Sequence, residues 1–304
     1  MAVLALAGSM LFPGTAAADD DVSTRIVGGH EAVGQTDYVA ALHADVRGGV
    51  QGKFFCGGAV LFREWVVTAA HCGVQAPSRE AATQLQVDPQ VAAIPVQDRQ
   101  LWVRVGSKFR DTGGEIAYVT AIYVPQGYVW GGPNDVALFK LDHAVDVQQI
   151  QLAPKPARPG AEVIAYGWGY DQPSSNGTPP RRLQQLETTV VPPSRCDGVI
   201  GKGDICLDNP NGRDGVCYGD SGTAGVEVVN GVPKLIGIAS RIADRRCGLS
   251  PAVYTSAAEH GQWLYDTART GGAPPSALVR AIEVPHPGAS HPVQRPRLEP
   301  APAA

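Results

Sequence analysis

The sequence has 304 residues, a net charge of −4 and a pI near 6.0, with 44% of its residues hydrophobic and 18% charged. That length supports a large core, as one long β domain or two small ones. The weakly acidic balance gives no basis for binding nucleic acid or an anionic membrane, and no internal apolar run is long enough to span a bilayer. The 36 Gly and 25 Pro suit an all-β chain with many turns.

Met1 to Ala18 reads as a secretory signal: Ala2 to Phe12 is mostly apolar, and Ala16-Ala17-Ala18 offers a small-residue cleavage site. The usual basic start of such a signal is missing, since no Lys or Arg precedes Arg25. Asp19 to Arg25 reads as a short acidic propeptide ahead of Ile26-Val27-Gly28-Gly29. Tyr38 to His43, Phe54 to Phe62 and Trp65 to Thr68 read as short strands, with a turn at Arg47-Gly48-Gly49. Val74 to Asp98 is rich in Ala, Gln and Pro, shows no clean period and is expected as a surface insertion. Leu101 to Val105, Ile116 to Val124 and Val136 to Leu141 continue the strand pattern, which argues for a barrel or sandwich. Ser256 to Arg269 reads as a helix, with Ala257, Trp263, Leu264 and Ala268 at packing positions. Gly271 to Ala304 holds 8 Pro with little periodicity and reads as a disordered tail.

Three stretches carry chemistry. In Cys217-Tyr218-Gly219-Asp220-Ser221-Gly222, two glycines flank an Asp-Ser pair on what reads as a tight turn. A serine hydroxyl becomes a useful nucleophile only with a base to take its proton and donors to hold the oxyanion. A base stands at the end of the apolar run Val66-Val67-Thr68-Ala69-Ala70-His71-Cys72, and an acid heads Asp135-Val136-Ala137-Leu138-Phe139-Lys140-Leu141. Six Cys in an exported chain favour disulfides, and six allow 15 pairings. A zinc site from Cys56, His71 and Cys72 is the other use of these thiols, although it lacks paired C-x-x-C spacing.

These motifs, in the order His71, Asp135, Ser221, resemble those of the trypsin/chymotrypsin-like serine proteases, an order that differs from those of α/β-hydrolases and subtilisins. Ile26-Val27-Gly28-Gly29, Gly167-Trp168-Gly169 and Pro251-Ala252-Val253-Tyr254-Thr255 extend the resemblance over roughly residues 26 to 268. It implies an all-β fold of two six-stranded Greek-key β-barrels with the active site between them and a C-terminal helix. The protease domain would span 26–270, with barrel one at about 26–145, barrel two at about 149–257 and the helix at about 256–269. The disulfides implied are Cys56–Cys72, Cys196–Cys206 and Cys217–Cys247. His71 is then the general base, Asp135 its orienting acid, and the N–H groups of Gly219 and Ser221 the oxyanion hole. Cleavage at Arg25-Ile26 by a trypsin-like protease would free an α-amine to pair with Asp220. No cofactor or metal is implied. The partners implied are polypeptide substrates, the activating protease and protein inhibitors, for a secreted monomer.

Specificity is where the chain departs from the family it resembles. The resemblance puts Gly215 at the pocket floor, where trypsin-like members carry an Asp. Val216 lines one wall and Ser240-Arg241-Ile242 the other, with Ile242 and Ala252 narrowing the pocket where Gly is common. A shallow apolar pocket for Ala, Val or Leu is expected. Asp214, one position early, keeps a basic specificity open, and a chymotrypsin-like pocket is a further alternative. Arg241 replaces an aromatic and is expected to favour acidic side chains nearby. Thr223-Ala224 replaces the family's Gly-Pro after the nucleophile turn. These departures also leave open a pseudo-protease that uses the cleft to bind a protein.

Overall fold

Burial alternates most cleanly in Arg99–Val105, whose side chains are in turn buried and half-buried, as a strand with one face on a core requires. A computed structural model describes residues 26–170, 179–242, 244, 246–271 and 279–287, and the sheets it shows form two closed six-stranded antiparallel barrels. The short strand β1 (His30–Glu31) is followed by β2 (Val39–Val46), β3 (Lys53–Phe62), β4 (Trp65–Thr68), β5 (Arg99–Val105), β6 (Glu115–Pro125) and β7 (Ala137–Leu141). Strands β2, β3, β4, β7, β6 and β5 pair in that order, and β5 returns to β2 to close the first barrel. After β8 (Gln151–Leu152) come β9 (Glu162–Gly167), β10 (Gln184–Val191), β11 (Asp204–Leu207), β12 (Ala224–Val229), β13 (Val232–Ile242) and β14 (Ala252–Ser256). The second barrel closes through β9, β10, β11, β14, β13 and β12.

The N-terminal segment belongs with the second barrel. β1 pairs with β10, and Val27 bridges Gly215, so the boundary expected at about residue 26 is corrected: the first barrel's own strands begin at Val39. The signal and propeptide stretches, 1–18 and 19–25, lie outside the described residues.

Three further expectations change. The 74–98 insertion holds two short helices, which follow the single turn α1 (Ala70–Gly73): α2 (Arg79–Gln84), capped by Ser78, and α3 (Pro89–Ala92), capped by Asp88. Ala76, Ala82, Val87, Val91 and Ala92 are buried in the main core, so the segment is packed on the barrel rather than laid on its surface. The final helix α4 (Gly261–Arg269) starts later than expected, because Thr255 and Ser256 still belong to β14. Part of the supposed disordered tail is a strand: β15 (Val279–Glu283) pairs antiparallel with the outer half of β6 and satisfies that strand's edge, and Val284 beyond it is buried. Residues 288–304 lie outside the described residues.

Leu264 is the fully buried anchor of α4. Leu264→Ala is expected to cost about 2–5 kcal/mol through lost burial and the cavity left behind, read as a lower urea midpoint at unchanged slope.

Candidate active site

His71 sits in α1, one turn of helix immediately after β4. The neighbouring Cys72 is bonded to Cys56 of β3, which pins the turn to the barrel wall. That bond uses both thiols of the cluster formed by Cys56, His71 and Cys72, so the zinc alternative gives way to a disulfide. The other two bridges are Cys196–Cys206 and Cys217–Cys247. Asp135 follows Asn134, whose φ of 60° lies in the left-handed region that Asn tolerates. This turn starts β7 and aims the Asp135 side chain at His71.

The contact between them is short and dry. His71 Nδ1 lies 2.6 Å from Asp135 Oδ2, and the His71 backbone N–H donates to Oδ1 at 3.0 Å. Ser240 donates its hydroxyl to the same Oδ2 at 2.7 Å, and Thr255 Oγ1 donates to the Asp135 carbonyl at 3.0 Å. Burial alone would push the carboxyl towards its neutral form. The His71 ring, the Ser240 hydroxyl and the His71 N–H outweigh it and hold the pKa below the ordinary range. An Nδ1–H donated to Asp135 puts the lone pair of the neutral ring on Nε2. Nε2 is buried without a hydrogen-bond partner among the described residues.

Ser221 follows a tight turn in which Gly219 has φ 93° and Gly222 φ 82°. Both values suit Gly and strain other residues. A Cβ on Gly222 would also run into Thr68 Oγ1 and the Gly57 carbonyl. The Ser221 carbonyl accepts from Gly57 N–H at 2.8 Å, and Gly222 N–H donates to Ala239 O at 2.8 Å, so both barrels hold the turn. Thr223, where Gly-Pro was the expected family pattern, fits without disturbing it. Its hydroxyl donates to Asp220 O at 2.6 Å and its methyl lies over Gly57, where any Cβ would collide with it. Among the described residues neither Gly219 N–H nor Ser221 N–H has a protein acceptor, which leaves two adjacent donors for an oxyanion.

Asp220 is buried against Gly167 and Gly169. Its carboxylate accepts from Gly169 N–H at 2.7 Å and Cys217 N–H at 2.8 Å, and a Cβ on Gly167 or Gly169 would run into it. Burial pushes its pKa up to about 7 against the pull of those two N–H groups. Ile26 is fully buried with φ 40°, an unusual value for a β-branched residue. Arg25 lies outside the described residues.

The cavity beside Ser221 has a volume of only about 20 Å³. Val216, Ser240, Arg241 and Ile242 line it, together with Leu85 and Gln86 from the insertion. Gly215 and Ala252 are not in its wall. Gly215 is drawn into the backbone bridge to Val27 and packs on Gly248, while Ala252 pairs with Ile242 and is buried in the second barrel's core. Asp214 does not reach the cavity either: Asn211 donates to its Oδ2 at 2.6 Å, and the carboxylate fills the space a side chain at Gly28 would need. Arg241 is buried and bonded to Asp204, so it offers no exposed charge for acidic side chains, contrary to expectation. Sequence reasoning missed three contributors. Ser240 was placed as a pocket wall and not as a donor to Asp135. Asp204 and the Leu85–Gln86 segment carried no motif at all.

Two barrels that meet at a buried Asp–His pair beside a serine on a glycine turn define a two-barrel serine hydrolase. The family model described as Trypsin matches residues 26–264, and the chain belongs to the trypsin family of serine endopeptidases. It is 30% identical to trypsin epsilon of Drosophila erecta over 81% of this chain and 88% of that one. It is 31% identical to trypsin II-P29 of Gallus gallus over 86% and 94%, and 26% identical to lectizyme of Glossina austeni over 80% and 86%.

The contact between Gly57 and Thr223 couples the barrels at the nucleophile turn. Gly57→Ala is expected to lower both the melting temperature and the activity. In a Thr223→Gly background the same change should be much milder, with a coupling of roughly 1–3 kcal/mol in a double-mutant cycle.

Proposed function

We propose that this endopeptidase hydrolyses peptide bonds through an ester on Ser221, and the buried 2.6 Å contact between His71 and Asp135 is the observation that carries the reading. Ser221 Oγ attacks the substrate carbonyl carbon as His71 Nε2 takes its proton. The N–H groups of Gly219 and Ser221 hold the oxyanion. His71 then gives the proton to the departing amine, the C–N bond breaks, and the acyl group remains on Ser221. Water, deprotonated by His71, attacks the ester and restores the serine. Asp135 stays ionised throughout and stabilises the imidazolium. A groove of about 740 Å³ lined by Phe54, Arg110, Tyr170, Tyr218 and Gly219 has room for the leaving half of the polypeptide.

Specificity follows from the cramped cavity. Ile242, Val216 and Leu85 leave space for a small apolar side chain, and Leu85–Gln86 must give way for a larger one. Asp214, committed to Asn211 and the Gly28 turn, weighs against a basic preference. A diverse peptide mixture cut by the protein starting at Ile26, but not by its Ser221→Ala counterpart, should show cleavage after Ala, Val or Leu. Cleavage after Lys or Arg would contradict the pocket assignment. Leu85→Ala should raise kcat/KM for Leu over Ala before the scissile bond by about 10-fold, the scale of a methylene or two in an apolar pocket.

Activation by cleavage at Arg25-Ile26 fits two observations. A φ of 40° at Ile26 strains an uncut chain, and cutting the preceding bond releases that constraint. The buried Asp220 carboxyl has two N–H donors and, among the described residues, no ion pair. The α-ammonium of Ile26 would supply the matching charge. Because Asp220 titrates near 7 in the fold and near 4 when unfolded, the unfolded uncut chain sheds its proton first as pH rises. The uncut protein should therefore lose stability from about pH 4 to pH 7. The cut protein should not, because its ammonium favours the ionised carboxylate. Melting temperatures of an uncuttable Arg25→Gln chain and of the cut protein across this window test the point. The Met1 to Ala18 signal and three disulfides support export. Among the described residues no helix is long and apolar enough to cross a membrane.

A further inference from the structure

Arg241 stands beside the Asp135 carboxylate and donates four hydrogen bonds. Its Nε donates to Val199 O at 2.8 Å, Nη1 to Gly132 O at 3.2 Å and to Ser240 Oγ at 2.9 Å, and Nη2 to Asp204 Oδ2. The side chains of Arg241 and Asp204 are 5% and 0% exposed. One guanidinium thus ties the loop ahead of Asp135, the hairpin closed by Cys196–Cys206, and the strand that carries Ser240.

We propose that Arg241, held by Asp204, is a positioning residue for the hydrolytic reaction: it fixes the direction of the Ser240 hydroxyl and so the carboxylate that orients His71. This rests on the catalytic reading of His71, Asp135 and Ser221. The physical reason is the one-way chemistry of arginine, which donates hydrogen bonds and accepts none. Ser240 Oγ must spend a lone pair on Arg241, which leaves its hydrogen for Asp135 Oδ2, 2.7 Å away. Donation then runs from Arg241 to Ser240 to Asp135, and the carboxylate receives His71 from the other side. Buried ion pairs of this kind seldom add much stability over apolar packing. Here the pair gives direction to a hydroxyl.

The charge acts as well as the geometry. The guanidinium is a cation behind Asp135, and the Asp204 carboxylate is paired with it. The other charged or titratable groups facing this cluster are Tyr128 from the loop before Asp135, Glu259 and His260 from the segment before α4, and Arg280 of β15. Burial holds Tyr128 and His260 towards their neutral forms.

The test is kcat and KM across about pH 5 to 9 for the protein cut to start at Ile26 and for its Arg241→Met, Arg241→Lys and Asp204→Asn variants. Rates are taken per active site, counted by fluorophosphonate labelling of Ser221. Arg241→Met should lower kcat by about 10- to 100-fold, the scale of a small misplacement of a reacting group, with KM nearly unchanged. Its acid limb should move to higher pH, because a cation that opposed the imidazolium is gone. Asp204→Asn leaves Arg241 unbalanced and should move the limb the other way. Arg241→Lys should restore the limb but only part of kcat, since an ammonium lacks the fork. A purely structural role predicts fewer labelled sites, with both the limb and the rate per site unmoved, and that result would overturn the proposal. If Arg241→Met does not fold, the opposite limb shift in Asp204→Asn and the split in Arg241→Lys decide it. Failure to label Ser221 in the unaltered protein would break the catalytic reading and this proposal with it. A labelled protein whose variants keep the parental pH profile breaks the proposal alone.

Discussion

The structure depends on keeping one ionised carboxylate in a dry place. Asp135 is 2% exposed, and a bare charge there would be prohibitively costly. It is tolerable because three donors meet it: two from His71 and one from Ser240. Those donors come from different barrels. His71 and Asp135 are set by turns of the first, and Ser240 by β13 of the second. Satisfying the carboxylate therefore requires the barrels to be docked in one arrangement. The same docking brings Ser221 against Gly57, where the absence of a Cβ leaves room for Thr223. Packing between the barrels and assembly of the site are one event.

The insertion between His71 and Asp135 lies against that site. It is anchored on one side by Trp130, whose Nε1 donates to Ala81 O at 3.2 Å and whose ring meets His71 edge-on at 6.2 Å. On the other side Lys53 pairs with Asp88 at 3.0 Å. Between these anchors Leu85 and Gln86 reach the cavity beside Ser221, with Gln86 at φ 62°. The segment thereby takes up volume beside Ser221.

What was legible in the sequence was what local geometry enforces. Glycines at 219 and 222 announce a turn only glycine makes easily, and the apolar run before His71 announces a strand end. The barrels were legible through strand alternation and through resemblance. The rest failed for physical reasons. Helices of six and four residues, such as Arg79–Gln84 and Pro89–Ala92, are too short to print a period on the sequence. The strand Val279–Glu283 borrows its stability from the edge of β6, which nothing nearby in sequence reveals. Arg241 read as an exposed charge because its partner Asp204 lies 37 positions away. Ser240 read as a pocket wall because its hydroxyl reaches Asp135 only once the barrels dock, 105 positions apart.

The most direct test of the central contact is the protonation of His71, read by NMR on protein labelled with 15N-histidine. At neutral pH the account predicts a proton on Nδ1, strongly deshielded by the Asp135 carboxylate, and a bare Nε2 facing Ser221. Asp135→Asn should abolish the deshielded signal. A resting enzyme with its proton on Nε2, or an Nδ1 signal unmoved by Asp135→Asn, would contradict the account.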